Sequence, residues 1–114
     1  MAECLFCNIA RGEVPARIVF QDEQVTAFRD ISPQAPVHVL VIPNQHVGTA
    51  AELGPGHGAL LASMVVAANG IAEREGVSRS GYRLVLNVGE DAGMSVTHLH
   101  LHLLGGRKLA WPPG

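Results

Sequence analysis

Between residues 98 and 104 the chain reads His98-Leu99-His100-Leu101-His102-Leu103-Leu104, and this alternation sharply limits how it can fold. In a β-strand successive side chains point to opposite faces, so all three imidazoles share one face and the leucines take the other. Wound as a helix, the same residues would scatter around the axis. The run therefore predicts a strand, Thr97 to Leu104, with buried leucines. Strand rise sets neighbouring histidines about 6.6 Å apart and the outer pair about 13 Å apart. Zinc binds imidazole nitrogen at about 2 Å, so three histidines on a straight strand are poorly placed to share one ion. Different tasks for different histidines is the reading that geometry favours. Two others stay open on these residues: a solvated polar face, and a His-x-His metal site completed by His38 and His46.

The rest of the chain supplies partners for that strand. Arg17 to Gln21 and Gln24 to Arg29 read as strands around the turn Asp22-Glu23, on the β-branched and aromatic content of Ile18, Val19, Phe20, Val25, Thr26 and Phe28. Pro33 and Pro36 make residues 31–36 a loop. Val37 to Ile42 is a nearly continuous apolar run, stopped by Pro43 and interrupted by His38. An unpaired buried imidazole is costly, so His38 needs a polar partner; a satisfied core histidine with no catalytic part also fits. Residues 4–11 suggest one or two helical turns ended by Gly12. Pro55 suits the first position of a long helix, in which Leu60, Leu61, Met64, Val65, Ala68, Ile71 and Ala72 recur at three- and four-residue spacing until Gly76. Val66 and Ala67 make its opposite side apolar too, which points to burial against another subunit. Tyr82 to Val88 reads as a further strand, followed by the turn-rich stretch Gly89 to Ser95. Five strands with a long late helix make the expected fold class α+β, with a mostly antiparallel sheet.

A length of 114 residues fits one domain, 1–114. With 47% hydrophobic and 16% charged residues the composition is globular, and a chain this short gains from a partner subunit. A net charge of −2 without a basic run argues against capture of nucleic acid polymers. The start lacks a basic region followed by an apolar one, so no secretory signal is expected. No apolar run reaches the roughly 20 residues of a membrane span. The expectation is a soluble cytoplasmic protein without membrane contact.

Cys4-x-x-Cys7 has no strand before it, which argues against a thioredoxin-like redox pair. Two thiolates at this spacing form a half-site for tetrahedral zinc, although two reduced, unpaired cysteines fit as well. His57, near the helix start, has no evident partner and is expected to be exposed.

The histidine run resembles the signature of the histidine triad superfamily, His-x-His-x-His followed by apolar residues. Residues 28–36 (Phe-Arg-Asp-Ile-Ser-Pro-Gln-Ala-Pro), the strand through Pro43, Asn87-Val88-Gly89 and the closing Gly105-Gly106-Arg107…Trp111-Pro112-Pro113-Gly114 are similar to its Hint branch, purine nucleoside phosphoramidase-like hydrolases. The resemblance covers essentially the whole chain. It implies a homodimer that extends the sheet, with the 105–114 tail and Trp111 reaching the partner's pocket. It implies hydrolysis of purine nucleoside 5′-monophosphoramidates, such as adenylated amines, through a covalent nucleotidyl-histidine. His100 carries over as nucleophile, with His102, His38 and Ser95 in support. A neutral imidazole, with a pKa of about 6.5, suits attack on phosphorus. Asn87, Gly93 and Ser95 match phosphate contacts, though Gly93 equally suits a plain tight turn. Asp30 matches the ribose acceptor, and Leu5, Phe6, Ile9, Phe28 and Ile31 the apolar clamp around the base. His46 and His98 match zinc positions that complete Cys4 and Cys7, giving one structural zinc per chain, with no cofactor required for catalysis. A dinucleoside polyphosphate hydrolase and a non-enzymatic nucleotide-binding module are the competing implications; the Trp-Pro-Pro-Gly tail favours the Hint reading.

Overall fold

The structure is a computed structural model and describes residues 4–114; the expectation about a secretory signal at the start falls largely on residues 1–3, outside them. Its elements are α1 (Leu5–Ala10), β1 (Ile18–Gln21), β2 (Val25–Arg29), β3 (Val37–Pro43), α2 (Gly58–Arg74), β4 (Tyr82–Val85) and β5 (Leu101–Gly105), with short 3-10 turns at Ala50–Glu52, Pro55–His57 and Glu90–Ala92. The strands form one sheet in the order β1-β2-β3-β5-β4, antiparallel throughout.

The central strand β3 is buried along its whole length, as its apolar run requires. Alternation divides it between two cores. Val37, Val39 and Val41 pack with Leu99, Leu101 and Leu103 beneath Met64, Ala68, Ile71 and Ala72 of α2. Leu40 and Ile42 face the other way, onto Phe6, Ile9 and Phe28. Full burial of such a side chain contributes about 1.5–3 kcal/mol, so both layers matter to stability. His38 shares the parity of Leu40 and Ile42, and the triad histidines oppose the leucines. All four imidazoles therefore belong to the α1 side of the sheet.

Several boundaries differ from expectation for local reasons. β5 begins at Leu101 rather than Thr97, because its ladder with β3 ends at the Val41–Leu101 pair. The Leu99 N–H instead donates to the Val47 carbonyl at 2.6 Å. The leucines stay buried all the same, so the alternation survives the loss of the ladder. β4 stops at Val85 rather than Val88; Gly89 and Gly93, with φ of 82° and 85°, then turn the chain through Glu90–Ala92. Residue 24 is turn rather than strand, since Asp22 Oδ1 accepts from the backbone N–H groups of both Gln24 and Val25. Pro55 opens a 3-10 turn, and α2 proper starts at Gly58. His57 is half-buried rather than exposed, and its Nδ1 accepts from the Gly54 N–H at 2.9 Å. Among the described residues no helix is long and apolar enough to cross a membrane.

Candidate functional site

Antiparallel pairing puts His38 opposite Leu104 and Leu40 opposite His102, making the two histidines diagonal neighbours on one face. His38 Nε2 and His102 Nδ1 are 2.9 Å apart. The His100 and His102 rings lie 5.0 Å apart between centroids, closer than strand rise alone suggests. His100 Nδ1 sits 2.6 Å from the His98 carbonyl oxygen. A carbonyl only accepts, so Nδ1 holds the proton and Nε2 keeps the lone pair. That is the tautomer a nucleophilic imidazole needs.

Burial, and then the neighbouring His100 and His38, press the His102 pKa down to about 4, against a smaller pull from Asp30. His38 is also pushed down by burial, which outweighs the Asp30 carboxylate. Asp30 Oδ2 lies 3.4 Å from His38 Nε2, a polar contact rather than an ion pair while the ring stays neutral.

The second cluster is Cys4, Cys7, His46 and His98, whose ligand atoms all fall within 4.8 Å of one another. Cys4 caps α1, its sulfur accepting the Cys7 N–H at 3.4 Å, which turns both sulfurs the same way. His98 Nδ1 is 3.3 Å from Cys4 Sγ, 3.5 Å from Cys7 Sγ and 3.2 Å from His46 Nδ1; Cys7 Sγ is 3.3 Å from His46 Nδ1. Tetrahedral zinc with ordinary bond lengths needs sulfur–nitrogen edges of about 3.5 Å and nitrogen–nitrogen edges of about 3.3 Å. The donor set fits that ion. His98 Nε2 donates to the Pro43 carbonyl at 2.9 Å, leaving Nδ1 as the free donor atom, as ligating histidines require. Burial and the adjacent Cys4 sulfur push the Cys7 thiol up, so a dication is what would hold that sulfur as a thiolate.

A cleft of about 660 Å³ adjoins the histidines. Leu5, Phe6, Ile9, Phe28, Asp30 and Ile31 all line it. The Phe6 ring meets Phe28 and His100 edge-on, at 5.3 and 5.2 Å, so one ring joins cleft to triad. Ile31 is 98% exposed at the rim, an apolar side chain with nothing of its own chain to cover. Arg17 and Leu40 also line the cleft and were not picked out from the sequence; a lone arginine or a strand leucine carries no pattern there. Asn87 and Ser95 flank the turn after β4, and neither side chain has a hydrogen-bond partner among the described residues. Trp111 is 82% exposed and takes no part in this cleft.

Fold and site together define a class: an antiparallel sheet presenting alternating histidines beside an apolar cleft, with a cysteine–histidine set that fits a metal behind it. The family described as "Scavenger mRNA decapping enzyme C-term binding" matches residues 3–109. The purine nucleoside phosphoramidase of Escherichia coli K12 is 50% identical over 107 residues, covering 94% of this chain and 90% of that one. A crystal structure of a HIT family hydrolase from Legionella pneumophila superposes with a TM-score of 0.96 at 52% identity, covering 98% of this chain and all of that one. A zinc-bound histidine triad family protein from Mycobacterium smegmatis superposes at 0.78 with 30% identity, covering 95% of this chain and 80% of the other. The chain belongs to this decapping-enzyme C-terminal family and, through it, to the histidine triad superfamily, in the phosphoramidase-like branch.

Proposed function

We propose that this protein hydrolyses purine nucleoside 5′-monophosphoramidates, with His100 as nucleophile. The observation that carries the reading is the His98 carbonyl 2.6 Å from His100 Nδ1, which leaves Nε2 as the attacking lone pair. Attack forms a bond from Nε2 to phosphorus and breaks the phosphorus–nitrogen bond of the substrate; the amine leaves with the electron pair and takes up a proton. Water then attacks phosphorus, and the imidazole departs as the neutral base. His102, supported by His38, hydrogen-bonds the phosphoryl group or the leaving nitrogen. Asn87, the Gly93 turn and Ser95 receive the phosphate, Ser95 also facing the leaving group. Asp30 accepts the ribose hydroxyls: Oδ1 takes the Ser32 N–H at 2.7 Å and the carboxylate retains spare lone pairs. Leu5, Phe6, Ile9, Phe28 and Ile31 clamp the base. The 50% identity to a purine nucleoside phosphoramidase supports the substrate class.

Zinc in the Cys4–Cys7–His46–His98 set would tie α1 to the loop after β3 and to residue 98, a closed structural site with no position for substrate. Free thiols in such a set suit a reducing compartment such as the cytoplasm. The functional unit is a homodimer: β4 leaves an open sheet edge, and Val66 on α2 is 67% exposed. Trp111 on the exposed tail reaches the partner's pocket.

Quenching in alkaline denaturant on the millisecond scale, which spares an acid-labile phosphorus–nitrogen bond, should trap a nucleotide on the peptide holding His98 to His102, and fragmentation should place it on His100. His100→Ala should keep nucleotide binding while turnover falls by several orders of magnitude. An adduct on another residue, or more than about a tenth of turnover remaining, would refute the mechanism.

A further inference from the structure

We infer that Arg107 and the backbone of Gln34 form a positioning device that fixes which ring nitrogen of His102 carries the proton. The chain of contacts starts at a backbone amide. Gln34 N–H donates to His38 Nδ1 at 3.0 Å, and an N–H can only donate, so that ring nitrogen is unprotonated. A neutral His38 then carries its proton on Nε2. The nearest acceptor is His102 Nδ1 at 2.9 Å, ahead of Asp30 Oδ2 at 3.4 Å. The opposite assignment, with His102 donating from Nδ1, would leave His38 without any proton, an imidazolate. His102 is therefore unprotonated at Nδ1 and protonated at Nε2. That Nε2 is buried and has no hydrogen-bond partner among the described residues. A buried donor left unpaired costs about 1–3 kcal/mol, a cost relieved when a ligand oxygen or nitrogen accepts from it.

What holds the Gln34 amide in place is the segment following β5. Arg107 donates to the Gln34 carbonyl twice, from Nε at 3.2 Å and Nη2 at 3.1 Å, and its Nη1 donates to the Lys108 carbonyl at 3.0 Å. Gly106 makes the approach possible. Its φ is +93°, and a Cβ on it would lie 2.9 Å from Pro36 Cβ, so only glycine lets the chain settle on this loop. Pro33 and Pro36 have no N–H to anchor the loop elsewhere. The Gln34 side chain closes it locally, donating to the Ser32 carbonyl at 2.9 Å. The Gly105-Gly106-Arg107 stretch thus has a task at the active site without touching it. Arg107 acts through Gln34, then His38, then His102, which makes it a positioning residue.

The consequence for catalysis rests on the proposed phosphoramidase reading: a fixed Nε2–H is a ready donor to the phosphoryl group, whereas the other tautomer offers a lone pair that repels it. The tautomer itself does not depend on that reading. The full-length protein labelled with 15N-histidine should show, in two-bond 1H–15N spectra at neutral pH, His38 and His102 both protonated at Nε2. Arg107→Ala should shift both rings towards tautomer averaging. Arg107→Lys, which keeps the charge but not the fork, should restore the spectrum in part. With AMP-type phosphoramidates, Arg107→Ala should lower kcat about tenfold with KM little changed, less than the 10²–10⁴-fold of losing a proton-handling group outright. In a His102→Ala background the same change should cost nothing further, since its route is gone.

His102 protonated at Nδ1 in the wild-type protein would overturn the inference. So would an unchanged spectrum in a folded Arg107→Ala, or in Arg107→Gln should the alanine variant fail to fold. A tenfold loss persisting without His102 would also overturn it, showing that Arg107 merely holds the loop. Failure to hydrolyse phosphoramidates at all would sink the functional reading and leave the tautomer result standing.

Discussion

Lowering the pH should destabilise this protein through His102 in a way that can be isolated. Burial first, then His100 and His38, set the His102 pKa to about 4, against about 6.5 for a free imidazole. Between these values the unfolded chain binds a proton at this residue that the folded one refuses, so stability rises with pH across the window. The contribution is complete above about pH 6.5 and is lost as pH falls towards 4. Each pH step of one is worth about 1.4 kcal/mol, so about 2 kcal/mol should vanish between pH 6.5 and pH 5. Solvent screening on the open side of the ring cuts that to about 1 kcal/mol. The assay is urea unfolding at pH 7.5 and pH 5, at one protein concentration and with zinc held in excess. His102→Gln cannot titrate, and subtracting its pH-dependent loss removes the contributions of the zinc ligands and carboxylates. Wild type should lose more than the variant. Equal losses, within about 0.3 kcal/mol, or a larger loss in His102→Gln, would show the reasoning to be wrong.

Three other perturbations test separate parts of the molecule. Cys4→Ser should release zinc measurable by elemental analysis and lower the Tm, with a smaller effect on turnover of the folded fraction, because a closed four-ligand site contributes folding energy. Val66→Glu puts a charge on the exposed side of α2 and should shift light scattering from dimer to monomer at micromolar concentration. Thr26→Val should cost about 1 kcal/mol in urea unfolding: the wholly buried Thr26 donates from Oγ1 to Asn44 Oδ1 at 2.6 Å and accepts from Gln21 Nε2 at 2.8 Å, and water can replace it only in part because Gln21 is exposed but Asn44 half-buried.

The sequence spoke most clearly where two constraints coincided. The His-Leu alternation and the apolar run around His38 each demanded a strand, and together they fixed which residues share a face. The six residues that the family resemblance offered for the nucleoside all line one cleft, together with seven others. Boundaries were harder to read. Nothing in Thr97 to His100 says that the ladder stops at the Val41–Leu101 pair although β3 itself runs on to Pro43, since that depends on a strand over fifty residues earlier. His57 looked unpartnered because its partner is a backbone amide three residues away, and backbone donors are invisible in a list of side chains. The Gln34 amide escaped for the same reason. Its own side chain has no catalytic chemistry, and only three-dimensional placement gives its N–H a task.

Residue 98 explains why the cysteine–histidine set and the proposed nucleophile occur in one short stretch. Its Nδ1 faces the two sulfurs and His46, its Nε2 donates to Pro43, and its carbonyl accepts from His100. Side chain and backbone of one residue thereby serve two sites. Because the histidine precedes the β5 ladder, no strand hydrogen bond competes for that carbonyl. Its position is held instead by the side chain's two anchors, by the residue's own N–H on the Val96 carbonyl at 3.0 Å and by the Leu99 N–H bond to Val47. A tetrahedral ion at Nδ1 would stiffen that carbonyl without approaching phosphorus. The coupling would be one of geometry rather than charge: an ion would supply order to the residue whose carbonyl fixes the tautomer of His100. A relative lacking the cysteines could keep the chemistry if other packing held residue 98 as firmly, since the acceptor His100 needs is a backbone atom.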